Sequence, residues 1–404
     1  MKHIIILGDG MADEPIDNLD GKTPLQAADT PAMEWLASHG CQGELTTVPD
    51  GFAPGSEIAN LSVLGYNVAD VFEGRGSLEA ASMGIPIADD EMAMRCNLIC
   101  IADGRIKNHS AGHISTEEAT VLIDFLQQEL GGGNVNFCSG ISYRHLIKIK
   151  GADKRITCTP PHDVPGVESH SVMVSADVQD AESTALLINR LILESQKLLA
   201  THPVNLKRIA EGKDPANSIW PWSPGYRPSM HTMNELFGIK NGIVISAVDL
   251  IRGIGVYAGL KPVIVEGATG LYDTNYEGKA QAAIDALKGD CDFVFLHVEA
   301  SDEAGHEGDV ALKIRTIEYL DSRIIAPILD AVRQMDEPVT IAVLPDHPTP
   351  CRIRTHTRKP VPFVICRPDG ITDGLTTFDE ISARHGSLGH ITDGISFIRE
   401  LLKD

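Results

Sequence analysis

Met1-Lys2-His3-Ile4-Ile5-Ile6-Leu7-Gly8-Asp9-Gly10 decides the fold. An apolar run of this length, closed by an acid and a glycine, reads as a buried strand with a polar residue at its carboxyl end. It is too short for a signal peptide and ends in an acid. Comparable runs recur at 243–247, 263–265, 293–298, 340–344 and 361–366. Helical patterns separate many of them. One follows Glu307 to about residue 335, with Leu312, Ile317, Leu320, Ile324, Ile328 and Val332 at helical spacing, and another occupies 281–288. Alternating strands and helices imply an α/β domain with a mostly parallel sheet.

Residues 91–175 read differently. They hold shorter strand-like stretches at 94–101, 146–150 and 171–174, a helix near 116–129 and the punctuation Gly131-Gly132-Gly133. This predicts a smaller α/β domain, 91–175, inserted into a larger one formed by 1–90 and 176–404. Residues 182–211 are helix-rich, and the proline- and tryptophan-rich stretch 219–228 reads as a connecting loop or cleft wall. Two domains suit 404 residues, more than one core usually serves. Hinges are expected near 85–92 and within 175–215.

The formal net charge of −22 argues against a nucleic-acid partner, because phosphate backbones need a basic face. It also gives no long-range attraction to an anionic substrate, so a phosphorylated substrate needs local cations. No apolar run reaches the ~18 residues of a membrane span. The eight cysteines contain no Cys-x-x-Cys pair and read as reduced thiols of a cytoplasmic protein.

The functional candidates follow strands, where open α/β sheets bind ligands. Asp9 ends the first strand. His297-Val298-Glu299-Ala300-Ser301-Asp302-Glu303-Ala304-Gly305-His306 places Asp302 and His306 four apart, on one face if the segment is helical. Leu344-Pro345-Asp346-His347-Pro348 puts two ligand types side by side, held by prolines. His356 follows in Thr355-His356-Thr357. Singly, each has an ordinary alternative as a turn, cap or surface residue. Together they offer three carboxylates and three imidazoles, a mixed set that suits two divalent ions such as Zn²⁺ or Mn²⁺ better than Ca²⁺. Ser56, in Ala53-Pro54-Gly55-Ser56-Glu57-Ile58, opens a helix-like stretch. It reads either as a helix cap or as a nucleophile among unpaired N–H groups that favour phosphate.

This order of motifs resembles the alkaline phosphatase superfamily. Within it, Pro54-Gly55-Ser56-Glu57-Ile58-Ala59-Asn60, Glu299-Ala300-Ser301-Asp302-Glu303-Ala304-Gly305-His306 and Pro345-Asp346-His347-Pro348-Thr349-Pro350 resemble the cofactor-independent phosphoglycerate mutases of the archaeal type. The resemblance implies an alkaline-phosphatase-like, mostly parallel sheet with helices on both faces and an inserted domain. It implies that Asp9, Ser56, Asp346 and His347 hold one metal and Asp302, His306 and His356 the other. Mn²⁺ is usual; Mg²⁺, Co²⁺ and Zn²⁺ are also used, and bisphosphoglycerate is not. Ser56 would accept the phosphoryl group of a small phosphorylated substrate, and Lys279 would be a cation beside it. Arg105, His109, His113, Arg144, His162 and Asp163 would bind the organic part in the inserted domain. The alternative is a phosphotransferase of the same superfamily with another acceptor, such as a homoserine kinase, using Asp163 or Glu168 to hold the amine. His385 and His390 read as loop residues.

Overall fold

The computed structural model describes residues 1–368, 370 and 372–403. The chain forms two compact units, 1–72 with 229–404, and 73–228.

The first unit is built on an eight-stranded sheet. Its strands are β1 (Lys2–Gly8), β2 (Cys41–Leu45), β3 (Gly242–Ile245), β4 (Lys261–Val263), β5 (Phe293–Val298), β6 (Val339–Leu344), β7 (Val361–Cys366) and β8 (Gly389–Ile391). They lie in the order β4-β3-β5-β1-β6-β7-β2-β8. Among them β7 alone runs against the others. β1 is central and buried throughout, as its unbroken apolar run predicts. Its register pairs Gly8 with Val298 of β5 and Leu7 with Leu344 of β6. The residues that succeed these three strands therefore emerge together at one edge.

Alternation along the strands covers both faces. Ile4, Ile6, Val294, Leu296, Ile341 and Val343 pack with residues of helix Pro31–Ser38, α2 (Tyr276–Lys288) and α4 (Val310–Leu320). On the opposite face Phe363 meets Phe397 of helix Gly394–Leu401, ring centroids 5.2 Å apart. Two short helices at the sheet edge, α1 (Ser56–Val63) and α3 (Ala300–Glu307), carry candidate residues. The expectation of a mostly parallel sheet with helices on both faces is borne out. The helix expected from 307 to 335 runs unbroken over 310–332 but is not α-helical throughout. After α4 comes a π-helical turn, Asp321–Ile325, and then helix Ala326–Val332. Pro327 has no N–H to bond one turn back, and the wider turn accommodates it. β2 and β8 lie outside the expected strands because Cys-Gln-Gly-Glu-Leu is broken by a central glycine and Gly-His-Ile is only three residues long.

The second unit is an antiparallel sheet of strands Arg105–Asn108, Glu91–Ala102, Arg144–Lys150 and Val135–Ile141, in that order, with Ser218–Gly225 also paired to Glu91–Ala102. It is wider than 91–175. Trp220 and Trp222 of strand Ser218–Gly225, and Ile188 and Ile192 of helix Glu182–Ala200, belong to the same core as Met94 and Leu98. Helix Arg75–Ser82 packs so closely on it that a Cβ at Gly76 would lie 2.5 Å from Ala93 O. The chain thus passes between units at 72/73 and 228/229, outside the expected hinge windows. The stretch 219–228 is mainly strand rather than loop, its prolines tolerated because Ser218–Gly225 pairs on one side alone among the described residues. The strand expected at 171–174 is a 3₁₀ turn, Ser169–Val172, followed by a two-residue strand.

Candidate active site and metal centre

Strand ends place the acids. Asp9 follows β1, and its N–H donates to Val298 O at 2.9 Å. Gly10 then turns at φ 61°, a left-handed conformation that glycine adopts freely. A Cβ there would stand 2.6 Å from Asp302 Cα, so glycine lets the two loops close on each other. Asp302 and His306 share one face of α3, Oδ2 and Nε2 3.2 Å apart. Asp346 and His347 follow β6; the Gly10 and His347 N–H groups donate to Asp346 Oδ1 at 3.1 and 2.8 Å. Beneath these loops the fully buried Lys313 of α4 donates to Asp13 Oδ2 at 2.9 Å, Thr349 O at 2.8 Å and Ala12 O at 3.2 Å.

Ser56 is not a cap. Gly55 takes that position, and Ser56 is the first residue of α1. Its Oγ lies 3.3 Å from His347 Nε2. Asn60, one turn on, donates to Ser56 O at 2.8 Å and Asp346 Oδ2 at 2.9 Å, tying α1 to the loop after β6.

Two acid–imidazole groups result. In the first, His306 Nε2 and His356 Nε2 are 2.9 Å apart, and His356 Nε2 is 3.4 Å from Asp302 Oδ1. Donors about 2.0–2.1 Å from a tetrahedral ion stand roughly 3.4 Å from one another, so this is ligand-like convergence. In the second, His347 Nε2 lies 3.6 Å from Asp9 Oδ1 and 3.5 Å from Asp346 Oδ2. His347 joins the groups, its ring centroid 4.0 Å from that of His356. By mutual proximity of donor atoms, Asp302, His347 and His356 form one set that can hold a metal, and Asp9, His297 and Asp346 another.

Acids crowd one another at this edge of the sheet. Burial, then Asp346 and Asp302, raise the Asp9 carboxyl well above its usual range. Burial would raise Asp302 too, but hydrogen bonds from His306 and His356 hold it well below. The Asp302 bond in turn lifts His306 to about 9. Asp9 Oδ1 is buried with no hydrogen-bond partner among the described residues. An orphaned carboxylate oxygen amid crowded acids and converging imidazoles fits divalent metal.

Lys279, on α2, is fully buried and donates to His297 O at 3.2 Å. Burial pulls its ammonium down to about 8, against the opposing pull of Glu299. Burial, reinforced by Glu303 and Asp302, pushes Glu299 up.

In the second unit the structure assembles a cationic and aromatic cluster. His109 meets Tyr143 and His162, ring centroids 5.5 and 6.0 Å away, and His162 meets Trp222 at 5.2 Å. The Arg95 guanidinium lies 4.4 Å from the Trp222 centroid and 2.9 Å from Glu79. Burial, with Arg75 and Arg144 nearby, lowers the Arg95 pKa, and burial likewise lowers His162. Asp163 lies 3.5 Å from His162. Arg105 is instead held on the surface by Glu168 and Gly166 O, both at 2.9 Å. That bond also engages Glu168, one of the two carboxylates, with Asp163, named for a homoserine site. His113 is exposed, in a turn at φ 54°.

His297, Asn60, Arg75 and Arg95 were not among the sequence candidates. His297 reads as one more residue of an apolar strand, and Arg95 as an outward position.

A family profile described as 2,3-bisphosphoglycerate-independent phosphoglycerate mutase matches residues 37–205. The protein of that name from Methanosarcina barkeri is 54% identical, over 96% of each chain. A solved protein structure from Pyrococcus horikoshii is similar at TM-score 0.82 and 31% identity, covering 99% of this chain and 96% of that one. The cofactor-independent phosphoglycerate mutase of Thermoplasma acidophilum is similar at TM-score 0.68 and 27% identity, covering 100% and 99%. This chain therefore belongs to the 2,3-bisphosphoglycerate-independent phosphoglycerate mutases, a family of enzymes.

Proposed function

We propose that this enzyme interconverts 2-phosphoglycerate and 3-phosphoglycerate without bisphosphoglycerate, using two divalent cations and a phosphoserine at Ser56. The observation that carries the proposal is Ser56 Oγ, 3.3 Å from the imidazole that joins the two acid–imidazole groups. Asp9, Ser56, Asp346 and His347 would hold one ion and Asp302, His306 and His356 the other, with Mn²⁺ the expected metal. When bound, such ions polarise phosphoryl oxygens and lower the pKa of an attacking hydroxyl.

Ser56 Oγ forms a bond to phosphorus as the substrate's ester P–O bond breaks. The freed glycerate oxygen takes up the proton that Ser56 gives up. The glycerate then presents its other hydroxyl, and the same exchange runs in reverse. Lys279 supplies fixed positive charge at the end of β5, where negative charge gathers. In the second unit Arg144, His109 and His162, with Arg95 and Arg75, would bind the substrate carboxylate; a guanidinium fork matches that group.

An enolase-coupled assay tests the reading. Protein stripped by chelator should not convert 3-phosphoglycerate, and Mn²⁺ should restore turnover without added bisphosphoglycerate. Turnover indifferent to chelation, or none with Mn²⁺, overturns it.

A further inference from the structure

His297 is the penultimate residue of β5 and is fully buried. Its Nε2 lies 2.9 Å from Asp9 Oδ2, and its Nδ1 lies 3.2 Å from Ser246 Oγ, just beyond β3. The three residues thus bridge neighbouring strands, β3, β5 and β1, at the edge where the acids gather. By distance alone His297 could be a ligand, since it groups with Asp9 and Asp346.

Proton accounting decides otherwise. The Val248 N–H donates to Ser246 Oγ at 3.0 Å, so one lone pair of that oxygen is taken. Of the two hydrogen-bond partners of Ser246 Oγ among the described residues, the Val248 N–H and His297 Nδ1, only Nδ1 can accept the hydroxyl hydrogen. A neutral imidazole carries a single N–H. With Nδ1 accepting, that N–H is on Nε2 and points at Asp9 Oδ2, a carboxylate oxygen that needs a donor. An imidazole whose Nδ1 accepts a hydrogen bond carries no proton on that nitrogen and is neutral. Asp9 is left with one engaged oxygen and one orphan, Oδ1.

We infer that His297 is a positioning residue: locked by Ser246 as the Nε2–H tautomer, it holds Asp9 Oδ2 and so presents Asp9 Oδ1 to the metal, without being a ligand itself. The inference rests on the metal-site reading proposed for Asp9, Asp346 and His347. Partners of this kind orient ligands and commonly change metal affinity about 10- to 100-fold when removed. An amide N–H can make the same bond to Asp9; an alkyl group cannot.

The test is Mn²⁺ titration of chelator-stripped full-length protein, by calorimetry with elemental analysis, on wild type, His297→Asn, His297→Leu and Ser246→Ala. The expected wild-type result is two ions per chain. His297→Asn should bind two, each within about threefold of wild type. His297→Leu should weaken one site about 10- to 100-fold and leave the other unchanged, and Ser246→Ala should weaken the same site less. In turnover, His297→Leu should lower kcat at saturating Mn²⁺ with little change in KM. Should His297→Leu fail to fold, as judged by circular dichroism of the metal-free protein, the contrast of Ser246→Ala with wild type decides. Wild-type protein that takes up no ion sinks the metal-site reading and this inference together. Wild-type protein with two ions, joined by a His297→Leu variant with both affinities intact, sinks the inference alone. So does a His297→Asn variant that loses one ion outright, which would make His297 a ligand.

Discussion

In the first unit Asp9, Asp302 and Asp346 are at most 5% exposed and lie in the segments that follow parallel strands, whereas in the second unit Arg144 opens a strand of an antiparallel sheet and His109 and His162 lie in turns, all three with access to solvent. The acids are placed by backbone register: Gly8 beside Val298 and Leu7 beside Leu344 leave little freedom to the loops that leave those strands. Their charges repel, and burial raises Asp9 further. A cluster of that kind suits a resident cation, which stays while substrates come and go. The second unit's cluster is placed by cross-strand neighbours and by loops, is more open to solvent than the acids, and suits an anion that must also leave. On a chain of net charge −22, such a local surplus of cations is the feature that can draw in a carboxylate.

That contrast can be broken or sharpened, beginning with the largest effect. Ser56→Ala should lower kcat about 10⁴-fold or more, as loss of a nucleophile does. Its Mn²⁺ stoichiometry by elemental analysis should fall by less than one ion per chain. If turnover survives, Ser56 is not the phosphoryl carrier. Lys313→Met strands Asp13 as a buried, unpaired charge under the loops of the first unit. It should reduce stability to urea by about 3 kcal/mol, with the spectroscopic signature of the second unit's tryptophans retained longest.

A pH series separates the regions next. The Asp302 bond raises His306 to about 9, so below that pH an incoming metal must displace a proton. Mn²⁺ affinity of stripped protein, measured by calorimetry, should therefore climb about tenfold per pH unit through neutrality and level off near 9. The metal-free fold should respond oppositely. A raised histidine pKa favours the folded state fully below the unfolded value of 6.5 and loses that contribution as pH rises towards 9. The smallest effect belongs to the second unit. Arg144→Ala should raise KM about tenfold, the worth of one charge-assisted hydrogen bond, with kcat and Mn²⁺ affinity little changed. A fall in kcat at constant KM would remove Arg144 from substrate binding.

The legible part of this chain in sequence is the part fixed by strand ends. Asp9 and Asp346-His347 each close an apolar run, and Asp302 with His306 show helical spacing. What the sequence hid depends on neighbours distant in the chain. His297 is an unremarked residue of β5 until β1 and β3 bring Asp9 and Ser246 to its two nitrogens. Arg95 and Trp222 meet through antiparallel register, which no local pattern encodes. The prolines at 221 and 224 suggested a loop, yet a strand paired on one side tolerates them. Ser56 carried two readings, cap or nucleophile, and the placement of Gly55 at the cap removes the first.

The most direct test of a phosphoserine route is mass spectrometry of enzyme quenched during turnover of 3-phosphoglycerate with Mn²⁺. One added phosphoryl group is expected on the peptide containing Ser56, absent from Ser56→Ala. Full turnover with no phosphoryl group on Ser56, or with the group on another residue, would contradict that route.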